Sequence, residues 1–248
     1  MKILVCISHV PDTTSKINFS EDLTKFDTNG VQFVINPYDE FALTRAMWFK
    51  EKQGASVTVA TVGLANVEPT LRKALAIGAD DAIRIDTEPT DGFQVAKQLS
   101  EIIKNEEFNL ILTGKESIDY NGGMVPGMIA EILGFNFVNA CIGIDIADDD
   151  ATVSREIDGG KEVLNCKLPL VAAGQKGMVE EKDLLIPNMR GIMMARKKPL
   201  KVIPPVDFNA TSSTIRYEKP EAKGACKLVD AEKIDELIEL LHNEAKVI

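Results

Sequence analysis

Short apolar runs alternate with segments whose apolar residues recur every three or four positions, and this continues up to Gly134. Residues 2–7 (KILVCI), 55–62 (ASVTVATV), 82–85 and 110–112 carry few polar interruptions, as strands buried on both faces do. Between them lie helical spacings: Leu43, Ala46, Met47 and Lys50; Leu71, Ala74 and Leu75; Val95, Leu99, Ile102 and Ile103; Val125, Met128, Ile129, Ile132 and Leu133. Asn36 and Asp91 stand where caps belong, Pro37 and Pro126 fit first turns, Asp39 and Glu40 meet a positive helix end, and Gly78 and Gly134 stop helices. Strand–helix alternation with crossovers of this length predicts a doubly wound, mostly parallel α/β sheet covered on both faces.

After Gly134 the pattern changes. Ile142–Ile146, Thr152–Ile157 and Val163–Cys166 are separated by Asp148-Asp149-Asp150 and Asp158-Gly159-Gly160, which predicts antiparallel hairpins. Leu168–Ala173 is a candidate strand returning to the main sheet. Ser8–Asp12 reads as a loop leaving the first strand, and Thr13–Gln32 as a polar surface excursion with a turn at Thr28-Asn29-Gly30. Residues 174–205 show no convincing element. Beyond them Asp207–Lys227 is polar and extended, and Asp230 is placed to cap a helix with Ile234, Leu237, Ile238 and Leu241 on one stripe. That stripe must bury against something. The organisation expected is an α/β domain over 1–205 and a C-terminal arm and helix over 206–248.

Composition narrows the function classes. With 248 residues, 45% of them hydrophobic, the chain has enough apolar material for one large core with an extension. No apolar run approaches the ~20 residues that span a bilayer, and strand-like sequence begins at once, so the expectation is a soluble, unprocessed, cytoplasmic protein without membrane insertion. The 28 basic residues face 38 acidic ones, a net charge of -10, which disfavours nucleic acid as a partner. Cys6, Cys141, Cys166 and Cys226 are far apart, with no spacing suited to zinc or iron–sulfur ligation. His9 has no nearby acid or nucleophile and reads as a packed loop residue. No serine, cysteine or lysine has an evident base, so the chain is not read as an enzyme.

The stretch with most chemistry is 109–134, a strand, a glycine-bearing loop and a helix. Gly122 and Gly123 let backbone N–H groups turn inward, and Pro126 suits the first helical turn. A phosphate is the natural guest of such a loop, although a plain crossover loop is equally compatible with it. The consecutive acids Asp148–Asp150 are spaced as a solvated turn and not as calcium ligands. Within 174–205, PNMRGIMMARKKPLK gathers Met189, Ile192, Met193 and Met194 beside Arg190, Arg196, Lys197, Lys198 and Lys201. It is either a partly packed surface loop or an adaptable docking surface.

Several stretches together resemble the β subunit of electron transfer flavoprotein over nearly the whole chain: KILVCISHVPD, INPYDEFAL, TLRKALAIGAD, LILTGKESID with its glycine loop, REIDGGKEVLNCKLP and PNMRGIMMARKKPLKVI. The resemblance implies an α/β fold of the adenine nucleotide alpha hydrolase or universal-stress-protein kind, with an added antiparallel hairpin region and an extended C-terminal arm. It implies a non-catalytic electron-carrier subunit in a heterodimer whose α subunit holds most of the FAD. This chain would bind AMP structurally, the adenosine against Cys6, Asn36, Pro37, Tyr38, Asp39 and Val62. The phosphate would lie in the loop of Asp119, Tyr120, Asn121, Gly122, Gly123, Met124, Val125, Pro126 and Gly127.

The resemblance further implies a recognition loop at about 184–199 and docking of acyl-CoA dehydrogenases through its Met189, Ile192, Met193, Arg196 and Lys197, with Met189 as anchor. Electrons would pass towards an electron transfer flavoprotein–quinone oxidoreductase in fatty acid oxidation. Met124-Val125 replaces the glutamine and following residue common in the family, so one side-chain donor to the phosphate is missing. Val62 stands where some members have a cysteine, and Met194 where some carry a modified lysine. Two other readings are a bifurcating flavoprotein, with a second FAD in the AMP site and NADH oxidation, and a stand-alone nucleotide-binding protein of the stress type.

Overall fold

The computed structural model describes residues 1–208, 210–222 and 224–248; Asn209 and Lys223 of the expected arm lie outside them. The chain divides into two compact units, Met1–Asn18 with Asp27–Thr214, and Phe19–Phe26 with Ile215–Ile248.

In chain order the first unit contains β1 (Lys2–Cys6) and β2 (His9–Pro11); the ribbon strands β3 (Asn18–Phe19) and β4 (Phe26–Asp27) mark its junctions with the second. It continues with β5 (Phe33–Ile35), α1 (Pro37–Gln53), β6 (Ser56–Val62), α2 (Glu68–Ile77), β7 (Asp81–Ile85), α3 (Gly92–Asn105), β8 (Leu110–Gly114) and α4 (Val125–Leu133). Then follow β9 (Asn136–Ala147), β10 (Asp150–Ile157), β11 (Gly160–Lys167), β12 (Leu170–Gly174), α5 (Met189–Ala195) and β13 (Leu200–Ile203). Among the described residues nine strands share one sheet in the order β11-β10-β9-β12-β8-β1-β6-β7-β13. Strands β12, β8, β1, β6, β7 and β13 run parallel, and β9, itself parallel to β12, starts the antiparallel hairpins.

The apolar runs are continuous because both faces of the sheet are covered. Ile3, Val5, Leu110 and Leu112 pack on one side with Leu43, Met47, Leu71 and Leu75 of α1 and α2. Leu4, Cys6 and Ile111 face the other side, against Leu99, Ile102, Ile103 and Ile129 of α3 and α4. Alternate residues of one strand thus feed two separate cores, as the two-residue period of a strand requires. Asp91 caps α3 as expected, accepting from the Gln94 amide at 2.7 Å, and Gly134 ends α4 in the left-handed conformation at φ 67°.

The structure departs from the sequence expectations in several places. Ser8–Asp12 is not simply a loop: His9–Pro11 pairs antiparallel with Phe33–Ile35, and the His9 ring stacks on Phe33 with centroids 4.4 Å apart. Asn36 occupies the N-cap position of α1 but makes no side-chain cap bond, because its amide is used elsewhere. Residues 174–205 hold a 3-10 turn at Glu181–Asp183, α5 and the edge strand β13; all are short, and the exposed apolar residues of α5 hide any single buried face. Asp230 lies one turn too early to cap the C-terminal helix, whose N-cap is Lys233; it makes a local turn instead, accepting from the Glu232 amide at 3.0 Å.

The second unit is built differently. Phe19 stacks on Tyr217 with centroids 4.8 Å apart, and the Tyr217 amide donates to the Leu23 carbonyl at 2.8 Å. Its helix α6 (Ile234–Glu239) leaves Ile234, Leu237 and Ile238 exposed. Leu228, Val247 and Ile248 are also exposed.

Candidate functional site

Crossovers from β1 and β8 leave in opposite directions across the sheet: α1 leads to β6 on one side, α4 towards β9 on the other. A crevice opens at the carboxyl ends of such a strand pair. The ladder between them reaches Val5 and Leu112, and past that point two residues from the start of α1 join the diverging chains.

Asp39 is 3% exposed. One carboxylate oxygen accepts from the Ser8 amide after β1, the other from the Gly114 amide at the end of β8, both at 2.7 Å. Asn36 is fully buried; its Nδ2 donates to the Glu116 carbonyl at 2.8 Å and its Oδ1 accepts from the Ile118 amide at 3.3 Å. Its own amide donates to the Ser8 carbonyl at 3.0 Å. The pairing that sequence reading gave to the helix dipole and cap is therefore spent on two strand ends and a loop. Gly114 permits this, since a Cβ there would stand 2.5 Å from Asp39 Oδ1 and 2.6 Å from Tyr38 Cβ.

The loop between β8 and α4 is closed by reciprocal bonds between Ser117 and Gly122, at 3.1 and 3.3 Å. Asn121 takes a positive φ of 50°, a conformation asparagine tolerates better than most residues. The Tyr120 amide donates to Asp119 Oδ1 at 2.9 Å, and Ser117 Oγ donates to the same oxygen. So the amides of Tyr120 and Gly122 are already engaged inside the loop. The first turn of α4 leaves the amides of Val125 and Gly127 without an intrahelical acceptor, as every helix start does. A Cβ on Gly123 would lie 3.1 Å from the Lys115 carbonyl, whereas Gly122 has open space around it.

Burial, not a neighbouring cation, dominates the electrostatics of this crevice floor. Burial raises the Asp39 carboxyl to about 7, against the lowering effect of bonds from Ser8, Asn36 and Gly114. Burial, and then the charge of Asp39, raise the Cys6 thiol far above its ordinary range, so Cys6 serves as an apolar wall and not as a nucleophile. Val62 ends β6, two strands from β8. Arg84, overlooked in the sequence because it sits inside the apolar run of β7, braces the turn after Val62. It donates to the Gly63 carbonyl at 2.9 Å and pairs with Glu68 and Asp86 at 3.1 and 2.5 Å. An arginine in an otherwise apolar strand was the available signal.

The other candidate cluster lies elsewhere. Helix α5 packs on the C-terminal half of α2: Arg72 donates to the carbonyls of Ala195 and Lys198 at 2.7 and 2.8 Å, and Lys198 to those of Leu75 and Ala79 at 2.9 and 2.6 Å. Gly191 approaches the Ala76 carbonyl so closely that a Cβ would collide with it. The Ala82 amide bonds the Pro199 carbonyl at 3.0 Å, so the end of α5 lies towards the amino ends of β7 and β13, away from the crevice. Met189 (76% exposed), Ile192, Met193, Arg196 and Lys197 project outward. Ile186, 84% exposed, adds an apolar side chain that sequence reading did not single out.

Residues 24–207 match the family model described as electron transfer flavoprotein domain. Over its full length the chain is 35% identical to the whole electron transfer flavoprotein subunit beta of Bacillus subtilis. It is 33% identical to the human protein of that name, covering 91% of each. The chain belongs to the electron transfer flavoprotein β-subunit family. A protein of the same description in Dictyostelium discoideum is 34% identical over all of this chain and 99% of its own. As a member of this electron-transfer family, the chain has the mostly parallel sheet with added hairpins that the sequence led us to expect. None of its helices is long and apolar enough to cross a membrane, among the described residues.

Proposed function

We propose that this chain is the non-catalytic β subunit of a heterodimeric electron transfer flavoprotein, holding AMP at the crevice and helping to hold the FAD of an α subunit. The observation carrying this reading is the conjunction, at the switch point of a sheet of this family, of a glycine loop, a helix start and a buried, hydrogen-bonded floor. A purine nucleotide suits these groups. Gly122 stands in open space, and Gly123 lets the loop pass the Lys115 carbonyl, which a Cβ there would press on; the start of α4 adds the favourable end of a helix dipole for an anion. Cys6, Val62, Pro37 and Tyr38 offer a largely apolar wall suited to adenine, with the buried Asn36 and Asp39 bracing it from beneath. With Met124 exposed where the family commonly has glutamine, the phosphate relies on backbone donors.

Flavin supplies the redox chemistry when bound; this chain's residues shape, support and dock. The exposed stripe of α6, with Ile234, Leu237 and Ile238, is the arm's contact with the α subunit. The apolar face of α5, ringed by Arg196 and Lys197, docks acyl-CoA dehydrogenases, which pass electrons through the complex towards a quinone oxidoreductase. Purification with co-purifying chains retained, followed by nucleotide release and mass identification, tests the reading. One AMP and one FAD per complex with a second chain is expected. Two FAD molecules would establish the bifurcating type, and a colourless chain without a partner or nucleotide would overturn the proposal.

A further inference from the structure

The buried carboxylate of Asp39 needs an explanation that the fold alone does not provide. Two neighbouring parallel strands are ordinarily joined by their own ladder, and β1 and β8 are so joined as far as Val5 and Leu112. Past that pair the sheet opens, and the amides of Ser8 and Gly114 no longer have strand partners. Burying them unsatisfied would cost about 1 to 3 kcal/mol each. Two converging N–H donors need two acceptor oxygens, which a carboxylate has and an asparagine amide lacks; the second atom of asparagine would present N–H to N–H.

We propose that Asp39 is a positioning residue for the nucleotide: by accepting the Ser8 and Gly114 amides together it sets the spacing of the two strand ends, and Asn36 transmits that spacing to the loop at Glu116 and Ile118. The proposal rests on the nucleotide reading above and deepens it, because it assigns Asp39 and Asn36 to holding the loop in shape and not to touching the ligand. Asp39 accepts from the Ser8 and Gly114 amides, and Asn36 bonds the Glu116 carbonyl and the Ile118 amide, so the pair ties together backbone groups of both strand ends and the loop. The side chains of Asn36 and Ser8 add to the support of the carboxylate. Gly114 completes the device, since any side chain there displaces the carboxylate. Around Asp39 the facing titratable group is the Cys6 thiol of β1. Its neighbours on α1 turn away, Tyr38 beneath the Lys115 ammonium at 5.2 Å and Glu40 to Lys73 at 2.9 Å.

The test measures AMP binding by calorimetry to the nucleotide-stripped full chain, with any co-purifying partner retained, for the wild type, Asp39→Asn and Gly114→Ala between pH 6 and 8. At pH 8 Asp39→Asn is expected to bind about tenfold more weakly, the size of one lost charge-assisted bond in the support. On lowering the pH the ratio between wild type and variant shrinks, because protonation makes one oxygen of Asp39 an uncharged hydroxyl that accepts more weakly and so brings the wild type closer to asparagine. The phosphate's own titration is common to both proteins and cancels. Gly114→Ala acts by a different route, steric displacement, and is expected to weaken binding in the same direction.

If Asp39→Asn does not fold, Gly114→Ala and the pH profile of the wild type decide; a wild-type affinity that fails to rise above that of Gly114→Ala as pH increases would sink the idea. A tighter or unchanged Kd in a folded Asp39→Asn, or a ratio constant with pH, overturns the positioning role while leaving the nucleotide reading intact. A wild type that binds no AMP overturns both.

Discussion

The crevice at β1 and β8 and the outer face of α5 both place residues where their chemical type is least at home, in opposite senses. At the crevice an acid and an amide are buried, and every donor and acceptor has a partner. At α5 three methionines and an isoleucine are exposed to solvent, while the backbone beneath is pinned by Arg72 and Lys198. The first arrangement resists motion; the second offers a flexible apolar surface on a fixed base, which suits a partner with an irregular pocket. Local rules are broken in both places, but differently: one satisfies buried polar groups internally, the other leaves apolar groups to solvent.

The comparison is sharpened first at Asp39, where the largest effect is expected. Burial raises its carboxyl to about 7, so between the ordinary carboxylate range and pH 7 the folded state binds this proton more than the unfolded state does. Stability associated with Asp39 is therefore greatest in acid and is lost as pH rises through that window. Between pH 4.5 and 7.5 the difference should amount to about 3 kcal/mol. Urea unfolding of the wild type and Asp39→Asn at pH 4.5 and 7.5 checks it, with general acid effects common to both; parallel pH profiles would show that Asp39 titrates normally.

At α5 the expectation is inverted. Met189→Ala with Met193→Ala should leave the unfolding midpoint nearly unchanged, within about 0.5 kcal/mol, as for other exposed substitutions. Binding to an acyl-CoA dehydrogenase should weaken by about 2 kcal/mol, some 30-fold. Surface plasmon resonance and thermal melts on the same preparations separate the two; a large melting shift with intact binding would make α5 a structural element. Smaller still, reversing Arg196 and Lys197 to glutamate should slow association about tenfold at low salt and little at high salt. Stopped-flow rates at two ionic strengths measure this.

Much of the sheet was legible in the sequence because its signals are local. Ile3, Leu4 and Val5, or Leu110, Ile111 and Leu112, declare a strand buried on both faces by their own composition, and Asp91 and Gly134 declare helix ends within one turn. The Gly122-Gly123 loop was legible as a loop for the same reason. Helix α5 was missed because its apolar residues do not lie on a buried face: only Ala195 is buried, and the helix is held by Arg72 and Lys198 through bonds more than a hundred residues apart in the chain.

What the sequence determined by itself was the alternation of elements, their ends and the family to which such a series of motifs belongs, all of which depend on residues within a few positions of one another. The tertiary structure alone decided that Asn36 braces a loop 80 residues away instead of capping its own helix, and that Asp39 spans 31 and 75 residues to join two strand ends. A side chain with two possible partners goes to the one that burial leaves without water. Which amides lose their water is fixed only when the strands have met and diverged.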